Sequence, residues 1–428
     1  MFHEGMPKKM KPACIYITDS YPLSEKDTFS FDDGAFLQKE NWELVILPRN
    51  SCSEYSPKEE DTSISTCLQM TKAKKIQALF SIWLLPLFFR EICTCLLHNI
   101  PLYPRQILHT IAIALHAQRT LRQLIKEKNW EKRPLVVYSF WFCPDLLGAH
   151  LLQREFPQLR IVTRLHGADL YAHRAPNGYM PFRYWRASMA DIFAPCSRQG
   201  VNYLAGEGIP EKKLRCSYLG VPALASLARP APKDELHLVS CSAAVPVKRL
   251  SLLGKSLLAF AGKYTEQKIT WHHIGDGPDL AELQQLMQTA PENLAFHCHG
   301  WLSQNDARQF FLRDSLEGLD GLINVSASEG LPVSMMEAQM AGLPVIGTDV
   351  GGVAEIIRPD TGILLPKDFT QDQLDKALFR LAQWKTIEQR FFIAQLAKEK
   401  FSLANYKLFI DDVIMEQLNI SQKILENK

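Results

Sequence analysis

The chain has 428 residues, 46% of them hydrophobic and 22% charged, a composition ordinary for a folded globular protein that excludes extended disorder. Such a length exceeds what one hydrophobic core usually serves, so two domains are expected. The net charge of +2 conceals an asymmetry: residues 1–230 carry 29 basic and 21 acidic groups, and the remainder carries 19 and 25. Segment 101–230 holds most of the excess, 18 basic against 8 acidic groups. A positive face there suits anionic lipid or a pyrophosphate-linked acceptor, with a plain solvated surface as the alternative.

In chain order, the N-terminal stretch MFHEGMPKKMKPACIYIT has lysines but no apolar core of leader length, so no secretory signal is expected. The ten cysteines include no CxxC pair, and Cys93 and Cys95 sit too close to bridge, which fits reduced thiols in the cytoplasm. Residues 13–18, 44–48, 135–140, 161–165 and 192–195 are predicted strands. Segments 110–126 and 145–155 are predicted amphipathic helices, the second with Asp145 as its N-cap. The apolar stretch 78–97, ALFSIWLLPLFFREICTCLL, is interrupted by Pro86, Arg90 and Glu91 below spanning length. It is expected as a buried helix; a helix lying on anionic lipid, led in by Lys72, Lys74 and Lys75, is the alternative.

Residues 222–235, PALASLARPAPKDE, are rich in alanine and proline without periodicity and read as an interdomain linker. The pattern then restarts: strand LHLVSCS, a helix from about Leu250, strand ITWHHIG, a helix from about Leu280, strand LAFHCHG and strand LINVS. The segment from about Gln389 onward reads as helix. Alternating strands and helices in both halves predict an α/β protein with two doubly wound, Rossmann-like parallel sheets.

The chemistry concentrates in residues 322–357, LINVSASEGLPVSMMEAQMAGLPVIGTDVGGVAEII. A strand ends in a loop carrying Glu329 and Gly330, and a helix from about Pro332 ends at Gly342, with Pro344 barring its continuation. The backbone amides of Gly330, Leu331, Pro332 and Val333 thus lead into a helix N-terminus. Such an end attracts an anion, and Gly330 allows close approach of a phosphate, although proline supplies no donor. Glu329 and Glu337 border the same cleft beyond the strand ends. Beside a phosphate site, carboxylates suit hydroxyls. A diphosphate flanked by two hydroxyl-bearing rings, as in a nucleotide sugar, meets both requirements.

This segment resembles the paired-glutamate motif of the family 4 retaining glycosyltransferases, which have the GT-B fold: two Rossmann-like domains facing a central cleft, with a C-terminal helix crossing back to the first. The resemblance covers the following glycine pair and Glu355. It implies a first domain over 1–222, completed by about 405–428, and a donor-binding domain over 223–404. VSCSAAVPVKRLSLL resembles the turn whose lysine reaches the donor diphosphate, which implies that role for Lys248. HHIGDGPDLAELQQL and LAFHCHGWLSQNDARQFF resemble the next two units, and the turn Gly300–Leu302 is implied to contact the base. IVTRLHGADLY is similar to the family's strand end, where His166 faces the donor sugar and Asp169 lies on the acceptor side. TDSYPLSEKDTF resembles the opening of exopolysaccharide and capsule glycosyltransferases through Tyr21, Pro22, Thr28 and Phe29, with Tyr21 on the acceptor side.

Two features depart from the pattern. Ala243 stands where many family members have arginine, so either Arg249 replaces that cation or the diphosphate site is weaker, and YPLSEKD lacks the family's glycine-rich loop. The resemblance implies a hexosyltransferase that moves a sugar with retention from a nucleoside-diphosphate sugar to a saccharide or lipid-linked saccharide. Cell-surface polysaccharide assembly, in the cytoplasm or on the inner face of the membrane, is the implied setting. Glu329, Lys248 and His166 are the implied catalytic residues, and Glu337 the ribose ligand. Neither cofactor nor metal is expected, and nucleic acid is not an expected partner. His272, His273, His297 and His299 are read as strand residues, because neighbours on a strand point to opposite faces. The competing reading is a non-catalytic GT-B subunit that binds a nucleotide sugar or a partner transferase. A nicotinamide oxidoreductase is opposed by TDSYPLSE standing where GxGxxG would be.

Overall fold

The computed structural model describes residues 11–19, 36–37, 42–50, 68, 84–312, 318–381 and 384–427. Tyr21, Pro22, Thr28, Phe29, Lys72, Lys74 and Lys75 lie outside them. Two compact units emerge: residues 1–195, 201–216 and 407–428 form the first, and residues 196–200 and 217–406 the second.

The first unit is a five-stranded parallel sheet in the order β2-β1-β3-β4-β5, from β1 (Ala13–Thr18), β2 (Glu43–Pro48), β3 (Leu135–Ser139), β4 (Leu159–Leu165) and β5 (Ile192–Pro195). Every residue of β1, β3 and β5 is buried, as strands covered on both faces by helices must be. Ile15, Ile17, Val137 and Ile161 share one core with Leu121, Trp130 and Leu146, and each fully buried aliphatic side chain contributes about 1.5–3 kcal/mol. The helices are α1 (Leu84–Leu97), α2 (Pro104–Glu127), α3 (Asp145–Leu152) and α4 (Arg198–Gly206), the last entering from the second unit. α2 starts with proline at its first position, where the missing N–H costs nothing.

Two expectations are corrected here. Pro144, not Asp145, occupies the N-cap of α3; Asp145 is the first helical residue, and its carboxylate lies 3.0 Å from the Arg49 guanidinium. α1 is only half buried. Glu91 and Cys95 face inward, whereas Phe89, Leu96 and Leu97 are exposed, because among the described residues α2 and the 179–185 loop pack on the side that carries Glu91 and Cys95.

The second unit is a six-stranded parallel sheet, β8-β7-β6-β9-β10-β11, from β6 (Glu235–Cys241), β7 (Lys268–Ile274), β8 (Leu294–Cys298), β9 (Gly321–Asn324), β10 (Val345–Thr348) and β11 (Gly362–Leu365). Numbered within the unit, this is the 3-2-1-4-5-6 order of a dinucleotide-binding sheet. Its helices are α5 (Leu250–Lys263), α6 (Leu280–Met287), α7 (Gln304–Phe310), α8 (Val333–Met340), α9 (Gln371–Leu381), α10 (Ile387–Phe401) and the start of α11 (Leu403–Glu426). Separate apolar clusters fill the two faces of the sheet, one around Met335 and Phe310, the other around Trp271 and Phe260. From Lys407 onward α11 belongs to the first unit, where the Leu135 N–H donates to Ser421 Oγ at 2.9 Å. No described helix is long and apolar enough to cross a membrane.

Candidate functional site

In the second sheet the strand order reverses between β6 and β9, and the loops leaving the carboxyl ends of such neighbours diverge to form a crevice. After β6 the chain makes a single 3-10 turn, Pro246–Lys248, and then takes Arg249 into the left-handed region at φ 53° before α5 begins. After β9 it runs through Ser326, Glu329 and Gly330 to α8. The Ala327 N–H donates to the Val247 carbonyl at 2.7 Å and ties the two loops together. Across that tie, Lys248 Nζ donates to Glu329 Oε1 at 2.6 Å. Asn324 Nδ2 donates to the same oxygen at 3.2 Å, while Asn324 Oδ1 receives the Ser326 N–H and hydroxyl. Glu329 is buried and held from two sides; Lys248 keeps partial exposure.

The glycine pair after β10 closes against this loop. Gly351 has φ +57°, and a Cβ there would lie 1.9 Å from the Glu329 carbonyl oxygen. Gly352 donates its N–H to the Gly330 carbonyl at 2.7 Å, and a Cβ on it would lie 2.6 Å from that oxygen. Only glycine lets these backbones pack together. α8 starts with Pro332 as its N-cap and Leu331 buried beside it, and the Pro332 side chain offers no hydrogen bond to the amides that follow.

Glu337 sits within α8, almost fully buried, with Arg308 Nη1 of α7 at 3.4 Å from Oε1. Loss of solvent outweighs that cation and pushes its carboxyl up to about 7. Gly300, at φ +64°, accepts the Gly275 N–H at 2.7 Å; Leu302 packs partly buried on the apolar cluster beneath α8. Arg249 turns elsewhere: its guanidinium donates to the carbonyls of Val325, Ser326 and Lys367, which braces the β9 loop.

In the first unit, His166 follows β4 and caps the single turn Gly167–Leu170. Its ring stacks on Phe140, with centroids 4.6 Å apart, and tilts against Trp141 at 4.4 Å. Burial, reinforced by Arg164, holds the imidazole well below its ordinary pKa and so neutral. Asp169 accepts the N–H groups of His166 at 2.6 Å and Phe142 at 2.8 Å, and burial raises its carboxyl to about 7. Asp169 therefore fixes the β3 and β4 loops to each other. Tyr21 lies outside the described residues.

Lys248, Glu329 and the glycine pair thus meet at one place in the second unit, and His166 and Asp169 at one place in the first. Asn324 and Arg308 were not singled out from sequence. Asn324 lies five residues before Glu329 in the same motif and could have been found from that spacing; Arg308, 29 residues from Glu337, carries no local signal. Glu355, part of the sequence motif, accepts the N–H groups of Arg198 and Gln199 and the Tyr218 hydroxyl, and so anchors the start of α4. His272 bonds to His299 at 3.0 Å and stacks on His297, yet no group of three or more His, Cys, Asp or Glu suited to a metal ion occurs among the described residues.

Residues 236–383 match the family model described as "Glycosyl transferases group 1". The chain is similar to the putative colanic acid biosynthesis glycosyltransferase WcaL of Escherichia coli K12, 26% identical over 289 residues, which span 59% of this chain and 69% of WcaL. It is also similar to the amylovoran biosynthesis glycosyltransferase AmsK of Erwinia amylovora, 25% identical over 55% of this chain and 58% of AmsK. Among solved structures it resembles the lipopolysaccharide outer core galactosyltransferase WaaB, with a TM-score of 0.67 at 17% identity, over 95% of this chain and 99% of WaaB. Anabaena HepE in complex with UDP gives a TM-score of 0.61 at 13% identity, over 95% of this chain and all of HepE. These likenesses show a GT-B-type fold.

Proposed function

We propose that this chain, a glycosyltransferase whose residues 236–383 match the group 1 family, transfers a hexose-type sugar from a nucleoside-diphosphate sugar to a hydroxyl of a saccharide or lipid-linked saccharide, with retention at the anomeric carbon. The observation that carries the proposal is the Lys248–Glu329 pair at the point where the second sheet reverses its order. A cation and a run of uncapped amides stand there beside a carboxylate, which suits a diphosphate joined to a hydroxyl-bearing ring.

On this reading Lys248 and the amides at Gly330, Leu331 and Val333 neutralise the departing diphosphate as its bond to the anomeric carbon breaks, and the acceptor hydroxyl attacks on the leaving-group face and passes its proton to the departing phosphate oxygen. Glu329 accepts hydrogen bonds from sugar hydroxyls near the reacting carbon. Glu337 takes the ribose, and the turn at Gly300 and Leu302 the base. His166 of the first unit is assigned to the donor sugar, and Asp169, which holds the loop beside it, to the acceptor side. The likeness to the colanic acid and amylovoran biosynthesis glycosyltransferases WcaL and AmsK supports cell-surface polysaccharide assembly as the setting. HepE with UDP supports a nucleotide donor. Peripheral association with an anionic membrane surface belongs to the same proposal.

One observation favours a second reading. Ala243 removes one expected cation and Arg249 is engaged with loop carbonyls, which leaves Lys248 as the cation beside Glu329 and suits a subunit that binds a nucleotide sugar without turnover. Incubation of the purified protein with UDP-, GDP- and ADP-sugars, with release of nucleoside diphosphate as the readout, separates the two. Release that is lost on Lys248→Ala supports the enzyme; tight binding without release supports the subunit.

A further inference from the structure

We infer that the first unit holds a second site, distinct from the strand-end residues His166 and Asp169, that binds the phosphate headgroup of an anionic membrane lipid. The site is a cavity of about 990 Å³ between α1, α2, α3 and the Trp185 turn. Four guanidinium groups line it: Arg90 from α1, Arg119 and Arg122 from α2, and Arg154 just after α3. The described lining contains no carboxylate. Glu155, beside it, pairs with Arg122 at 2.6 Å and Lys126 at 3.5 Å and offsets part of the charge. A cleft lined by one sign of charge concentrates counter-ions, and planar guanidinium forks match phosphate oxygens.

The rest of the lining mixes apolar side chains with Gln118, His150, Gln153 and Ser188. Leu87, Leu115 and Leu151 face the cavity, and Trp185 presents its ring, over which the Arg90 guanidinium lies 3.1 Å from the centroid. An inorganic anion has no use for that hydrocarbon, whereas a lipid headgroup with the first part of its chains uses both surfaces. The same helix that supplies Leu87 and Arg90 leaves Phe89, Leu96 and Leu97 exposed to 57%, 63% and 81%.

Topology separates this cavity from the strand-end residues. α3 runs from the carboxyl end of β3 back to the amino end of β4, so His150, Leu151 and Arg154 lie toward the amino-terminal edge of the parallel sheet, while His166 follows the carboxyl end of β4. A substrate reacting beside His166 does not have its headgroup here. This selects a resident lipid of the bilayer over a lipid-linked acceptor. The inference deepens the membrane-surface part of the proposed function and is independent of the donor site.

Sedimentation of the full-length protein with phosphatidylcholine vesicles, with or without phosphatidylglycerol, tests it. Wild type is expected to sediment only with the anionic vesicles and to be released by monomeric dihexanoyl phosphatidate. Arg90→Glu with Arg154→Glu is expected to weaken binding by well over tenfold, since each arginine near the surface contributes about fivefold. Arg105→Glu with Lys212→Glu removes the same charge from exposed positions outside the cavity and is expected to retain most of the affinity. The inference is overturned if the two double variants fall equally, if the cavity variant binds like wild type, or if pyrophosphate competes as well as phosphatidate. It is also overturned if wild type ignores the anionic vesicles. Nucleotide-induced thermal shifts, measured on all variants, report the donor site separately and are expected to be unchanged.

Discussion

Lys248 Nζ lies 2.6 Å from Glu329 Oε1, and the two side chains come from the loops that leave β6 and β9, the adjacent strands at which the second sheet changes direction. A cation that already holds a carboxylate is oriented before any ligand arrives. Lys248→Ala and Glu329→Ala are each expected to lower kcat by roughly 10²–10³, the range found when one preorganised group beside developing charge is removed. Lys248→Ala should also weaken nucleoside-diphosphate binding, and Glu329→Ala much less so. Steady-state kinetics with circular dichroism as the folding control checks both, and normal turnover in either variant would remove the residue from the site.

Glu337 gives the protein a pH signature. Its carboxyl is held near 7 in the folded state against an ordinary value of 4.5, so between those values the folded protein binds more protons than the unfolded chain. Stability of the unliganded protein from this group is therefore present at low pH and lost as pH rises through about 7, by up to ~3 kcal/mol. Asp169, raised from 3.8 to about 7, acts in the same direction. Glu337→Gln is expected to flatten part of the decline in Tm from pH 5 to 8. Affinity for a nucleotide sugar should rise over the same interval in wild type, because ribose hydroxyls donate to the ionised carboxylate, and should lose that rise in the variant.

Gly351→Ala places a methyl group 1.9 Å from the Glu329 carbonyl at a φ of +57°, so the loop carrying Glu329 must move. A loss of about 1–3 kcal/mol in stability is expected from the backbone conformation and the contact. Donor binding should suffer more than stability does. Chemical denaturation and nucleotide titration of the same preparation separate the two effects.

Arg390 is fully buried; its guanidinium donates to the carbonyls of Ala228 at 3.0 Å and Leu319 at 2.6 Å and lies 4.0 Å from Asp320. Lys385 reaches the other oxygen of Asp320 at 3.2 Å. Arg390→Ala leaves these carbonyls and part of the Asp320 charge without compensation, at a cost of about 3–5 kcal/mol. A lower midpoint in urea with an unchanged nucleotide-binding constant in the folded protein is the expected outcome.

Much of this architecture is legible in the chain because the local signals agree. Residues 13–18 and 192–195 are continuous apolar runs, as strands buried on both faces require, and Leu250 and Leu280 begin helices where the periodicity starts. Glu329, Gly330 and the glycine pair declare themselves through one uninterrupted motif. What escapes is tertiary. Asp145 has the chemistry of an N-cap, yet Arg49, ninety-six residues earlier in the chain, draws its carboxylate while Pro144 takes the cap position. The half-exposed state of α1 depends on how much surface α2 covers, which no periodicity encodes. Arg308 beside Glu337, and Glu355 on the start of α4, are contacts between elements 29 and 157 residues apart.

The most direct test of the donor site is a thermal-shift panel of wild type and Lys248→Ala against UDP, GDP, ADP and their sugars, since a ligand that binds only the folded state raises Tm with concentration. One nucleotide series should raise the wild-type Tm by several degrees at saturating ligand, with most of that shift lost in the variant. No shift with any nucleotide, or an equal shift in both proteins, would contradict a donor site built on Lys248 and Glu329.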